Sequence, residues 1–169
     1  PSFGYVEDET GYTVELSSYS LEETEILLEQ AKSLFDANGI GTPTSFRAGG
    51  WTAAIHTLEA LANTGFVADT SAANWARLEE WEGIPDAGLY EWNQEHWATI
   101  DDTSQPYYPS QDDILLSEPP FVPILEVPDN GALVDYVDVY EIIEMFEANW
   151  PGGAALQQPT TYVTGYHPV

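Results

Sequence analysis

The stretch TSFRAGGW, residues 44–51, sets Arg47 two residues before Gly49-Gly50 and four before Trp51. Arg47 is one of three Lys or Arg residues in a chain of 169; the others are Lys32 and Arg77. A guanidinium at a strand end, just before a glycine turn, lies where open α/β sheets and barrels place functional groups. Glycine lets the backbone turn sharply and approach another surface closely. The competing reading is neutralisation, in which Arg47 offsets buried carboxylates of an acidic protein. His167, in TGYHP near the end of the chain, is the second candidate. An imidazole at a strand end, held by the following proline, suits general acid or base work. A terminal surface histidine is the plainer alternative. His56 falls off the apolar stripe of its helix, and His96 lies between Glu95 and Trp97 in a loop region; both read as structural.

Positioning such groups requires a folded core, which the composition permits. The hydrophobic fraction is 43%, with 13% aromatic residues, too apolar for a globally disordered chain. The formal net charge is −26, from 29 acidic residues against three cations. That charge excludes nucleic acid and anionic membrane surfaces as partners, since both would repel it. It also opposes compactness unless high salt, low pH or bound divalent cations offset it. The composition therefore reads as halophilic or acid-adapted. The doublets Asp101-Asp102 and Asp112-Asp113 read first as solvated faces and second as surface calcium sites. No apolar run is long enough to span a membrane. The lack of cysteine excludes disulfides without fixing a compartment. Pro1 in the place of an initiator Met reads as a processed product, and the expected location is extracellular or at the cell surface.

The elements follow from pattern. GYTVELSSY, residues 11–19, is a candidate strand. Ser20 with Glu23 three residues later forms a capping box, opening a helix whose apolar positions are Leu27, Ala31 and Leu34 with Phe35 beside them; Asn38-Gly39 ends it. PTSFRA is extended. A second helix begins with Thr52 as cap and carries Ile55, Leu58 and Leu61 before Gly65 stops it. FVADTS then reads as a buried strand. Residues 73–120 hold Trp75, Trp81, Trp92, Trp97, Tyr90, Tyr107 and Tyr108 without a clear period, and read as long loops with short strands. Regularity returns with the strand FVPILEVP, a helix in DYVDVYEIIEMFEANW and a last strand, TTYVTGYHP. Strands alternating with helices through short connections predict an α/β fold with parallel strands.

On these residues the chain resembles the polysaccharide deacetylases, the carbohydrate esterases related to chitooligosaccharide deacetylase. TSFRAGGWTAAIHTLEALANTGFVADTSA is similar to the family's third block, in which an Arg after a Phe starts a turn and a helix ending in Gly-Phe leads into an Asp-Ser-Ser-like strand. QPYYPSQDDI followed by PILEVP matches the family's course towards its final motif, and YHP is similar to its last block. The resemblance covers residues 12–169, most weakly in the middle. It implies a single domain over residues 1–169, an incomplete or distorted (β/α) barrel that is N-terminally incomplete relative to the family. It also implies a reaction, removal of acetyl groups from sugars by a water on a divalent metal, commonly zinc, held by one Asp and two His. Arg47 would orient the catalytic carboxylate, His167 would be the acid and Trp51 would line the sugar groove.

The chain departs from the family at the metal. The family's strand ending in Asp-Asp is absent, and VELSSYSLEET stands where two His four residues apart belong. The three histidines are 40 and 71 residues apart and cannot supply that pair. No metal ligand is therefore assigned; zinc or another divalent metal would be needed only if the activity were retained. The reading that follows is a secreted, degenerate deacetylase-like domain that interacts with a polysaccharide or oligosaccharide, Trp51, Tyr107 and Tyr108 stacking on sugar rings. An active deacetylase seen in part, and a self-associating subunit of an extracellular surface layer or filament, are the alternatives.

Overall fold

The computed structural model describes residues 15–81 and 88–166. Strands β1 (Ser45–Phe46), β2 (Ala68–Asp69) and β3 (Leu125–Glu126) pair in parallel in the order β1-β2-β3. Around them lie helices α1 (Leu21–Ala37), α2 (Ile55–Asn63), α3 (Gly88–His96) and α4 (Val139–Asn149). The expected α/β class with parallel strands is present. Among the described residues the sheet is open and three-stranded, and no closed barrel is seen. Its strands are short because their ends are punctuated. Gly49-Gly50 turns the chain after β1, and Pro123 and Pro128, which cannot donate to a ladder, flank β3.

Helix α1 starts where its cap dictates. The Glu23 amide donates to Ser20 Oγ at 3.2 Å and the Ser20 amide donates to Glu23 Oε2 at 2.8 Å. Its buried line, however, runs through Thr24 and Leu28 against α2, while Leu34 and Phe35 are exposed. Polar bonds steer that packing: Lys32 Nζ donates to the Thr64 carbonyl at 2.6 Å, and Asn63 donates to Glu25. Helix α2 begins two residues later than expected, with Ala54 at the N-cap; the Thr52 hydroxyl donates instead to the Gly49 carbonyl at 3.0 Å. Leu58 and Leu61 are fully buried, each contributing about 1.5–3 kcal/mol.

Three further expectations change. Of the strand expected at 11–19, residues 11–14 lie outside the described residues, and Leu16–Ser18 form a 3₁₀ turn. The middle region contains α3, which was expected to be loop. Of the last strand, the described residues 160–166 make one parallel bridge, between Leu133 and Gly165, and residues 167–168 lie outside the described residues. That bridge still brings the end of the chain alongside residues 131–134, where the Gly131 amide donates to the Val163 carbonyl and the Val134 amide to the Gly165 carbonyl.

Candidate functional site

Parallel strands present all their C-terminal ends at one edge, and the charged residues gather there. Arg47 follows β1, Asp69 ends β2, Glu126 ends β3 and Asp129 lies three residues beyond. Asp69, Glu126 and Asp129 are all essentially buried. Arg47 Nη1 pairs with Asp129 Oδ2 at 3.2 Å, and Nη2 donates to Thr70 Oγ1 at 3.1 Å. The guanidinium also sits 5.9 Å from the Trp51 ring centroid, a cation–π distance. The carboxylate that Arg47 faces is Asp129, which was not among the candidates from sequence.

Gly165 completes this corner. A Cβ there would come within 2.5 Å of Leu133 Cδ2 and 2.9 Å of Arg47 Nη1, so only glycine lets the returning chain lie against the ion pair. Burial pushes the Asp129 carboxyl up to about 6 against an ordinary value of 3.8, with Arg47 and the Trp51 indole pulling the other way. The buried Trp51 Nε1 makes no hydrogen bond, and its nearest charged neighbour is this carboxyl.

Beside Asp129 lies a second carboxyl feature. Register places Asp69 opposite Glu126 on neighbouring strands, and the two side chains interact directly. The Ser71 amide and hydroxyl donate to Asp69 at 3.1 and 3.0 Å, and the Ala72 amide donates to Glu126 Oε1 at 2.9 Å. Glu126 Oε2 is buried without a hydrogen-bond partner. Burial, and then the neighbouring Asp69 charge, hold Glu126 well above the usual carboxyl range. Burial also raises Asp69, opposed by the hydrogen bond from Glu126. Two buried carboxyls side by side retain a proton because both cannot be charged together.

Helix α3 holds the turn that carries Trp51. Asn93 Nδ2 donates to the Gly50 carbonyl at 2.9 Å and Trp97 Nε1 donates to the Trp51 carbonyl at 3.0 Å. These bonds help fix Trp51 at φ 57°, a left-handed conformation costly for a tryptophan. Trp51 meets Trp75 edge to face at 5.6 Å, and Trp75 meets Tyr90 at 6.1 Å. An apolar cavity of about 180 Å³ opens beside Trp51 and Trp75, closed off by Leu78, Leu89, Leu133 and Tyr136. The corner thus offers an aromatic wall, a hydrogen-bonding cation and a buried carboxylate.

The structure brings Arg47 and Trp51 together and sets the other candidates apart. Tyr107 bridges the outer edge of β3, with the whole sheet between it and β1. Its hydroxyl donates to the Ile114 carbonyl at 2.7 Å, and burial followed by the Glu126 charge raises its pKa far above the ordinary tyrosine value. Tyr107 is half-buried against the core, away from Arg47 and Trp51. Tyr108 is exposed, with no ring contact to Trp51. His167 lies outside the described residues. His96 stacks on Trp92 at 3.6 Å, and His56 is half-buried on α2.

No group of three metal-ligating side chains is found among the described residues; Asp129 already faces a guanidinium, and Asp69 and Glu126 share a proton. At the surface, Asp102 is engaged by Arg77 and Asn74 rather than left open for calcium. Compared with family models, curated proteins and solved structures, the chain matches none.

Proposed function

We propose that the chain is a secreted, polysaccharide-deacetylase-like domain that holds carbohydrate at the C-terminal edge of its sheet without metal-dependent catalysis. The observation that carries this reading is the Arg47–Asp129 pair beside Trp51 and its apolar cavity. Flat aromatic faces stack on the apolar faces of sugar rings, and charged groups next to them accept or donate to ring hydroxyls. The finer fold proposed is part of a distorted (β/α) barrel, supported by parallel strands whose functional groups share one edge. Arg47 here braces a carboxylate, the task its counterpart has in the resembled family, on a residue that is not a metal ligand.

The test pairs elemental analysis of dialysed protein with acetate release from acetylated chitin and xylan oligomers. The reading expects neither stoichiometric transition metal nor acetate. About one equivalent of zinc with acetate released would overturn it and restore an active esterase.

A further inference from the structure

Helix α4 has a second apolar face that the fold does not use. Its inward face carries the buried Met145 and Asn149, anchored where Asn149 Nδ2 donates to the Asp102 carbonyl at 2.5 Å. Val139, Ile143, Phe146 and Trp150 recur at helical spacing on another face and are 41–60% exposed. At 3.6 residues per turn they fall within an arc of about 60°, forming one continuous stripe. The stripe is ordered in advance: Phe146 meets Trp150 and Tyr162 edge to face, each at 5.6 Å, and Trp150 Nε1 donates to the Ala154 carbonyl at 2.6 Å. A partner would not bear the cost of fixing these rings.

Charge decides what can cover it. Exposed Glu147 flanks the stripe on one side, and Asp138 stands at its N-terminal end. All three Lys and Arg side chains of the chain are already engaged: Lys32 with Glu29, Arg47 with Asp129, and Arg77 with Asp102 and Glu144. A second copy would bring a further net charge of −26 and no free cation to Glu147. We propose that α4 is a docking surface for a cationic amphipathic helix of a different protein. The partner lays apolar side chains along Val139, Ile143, Phe146 and Trp150 and sets Lys or Arg against Glu147. Three helical turns, about 11 residues, match the stripe.

The test uses the full chain and a fluorescein-labelled synthetic helix of about 18 residues, with Leu on one stripe and Lys on its flanks. Anisotropy should show saturable binding that weakens with salt. Binding should fall at least about tenfold in the double variant Ile143→Ser/Phe146→Ser, and several-fold in Glu147→Lys, which leaves the stripe intact. Both variants change exposed residues, and circular dichroism checks that they fold. Equal binding of a scrambled peptide with the same composition would overturn the proposal. So would undiminished binding by the double variant, or sedimentation showing a wild-type dimer that the double variant abolishes.

Discussion

Replacing Arg47 with methionine separates the charge on this side chain from its bulk. Ionised Asp129 is costly to fold even with its partner: the gap between 3.8 and about 6 corresponds to about 3 kcal/mol at 1.36 kcal/mol per pH unit. Without Arg47 the carboxyl is held higher still, but its cost has a ceiling because it can bind a proton instead. At about pH 7.5 that ceiling is about 5 kcal/mol, so losing the cation adds at most about 2 kcal/mol. Loss of the Thr70 hydrogen bond and the Trp51 contact adds about 1 kcal/mol. The expected loss is therefore about 2–3 kcal/mol at about pH 7.5. The sign of the pH effect follows from the raised value: Asp129 is already protonated in the native protein below about pH 6. At about pH 4.5 the ion pair no longer exists in the wild type, and only about 1 kcal/mol should be lost. Urea titrations followed by tryptophan fluorescence, in the same salt at both pH values, measure the difference. Equal losses at the two pH values, or none at either, would refute the ion-pair account.

Other consequences can be checked with the same titrations. Glu126→Gln keeps the oxygen that accepts from Ala72 and supplies a donor towards Asp69, so it copies the protonated pair. Carboxyls raised in the folded state stabilise it at low pH and lose that contribution as pH rises through the folded values. The variant should accordingly be more stable than wild type above neutrality by about 1–3 kcal/mol, and nearly equal to it in acid; a loss at every pH would contradict the shared proton. Gly165→Ala places a methyl against Leu133 and Arg47, and a drop of about 2 kcal/mol is expected. Asn93→Ala removes the donor to the Gly50 carbonyl in a buried setting, with an expected loss of about 1–3 kcal/mol read from thermal melts.

What the sequence disclosed was mostly local. Ser20 and Glu23 specify a helix start without reference to the rest of the chain, and the capping box formed as expected. The apolar runs around Ala68 and Leu125 marked buried strands because their hydrophobicity survives any partner. Helix α3 was hidden because the inward line Tyr90, Asn93, Trp97 has a polar residue at its centre, which breaks the apolar period; Asn93 is buried because it bonds backbone. The outer face of α1 misled for the opposite reason. Leu34 and Phe35 are apolar, but Thr24, Leu28 and Lys32 have the bonds and the shape to meet α2.

The site was legible in half. Arg47 stood out by rarity and by the glycines after it. Asp69 and Glu126 could have been found as the single acids inside VADTS and ILEVP, since a charge within an apolar strand must be buried with a reason. Asp129 could not, because PDNG is the composition of an ordinary turn. A parallel bridge between Ala73 and Asp129, which no local pattern announces, places it beside Arg47.

The most direct test of the carbohydrate reading is a titration of isotope-labelled protein with chitin and xylan oligosaccharides, following the indole N–H signals of wild type and Trp51→Leu. The account expects a saturable shift of the Trp51 signal, and weaker binding by at least about tenfold in the variant, with the fold retained. Saturable binding that the variant leaves unchanged, or no binding to either oligosaccharide, would contradict it.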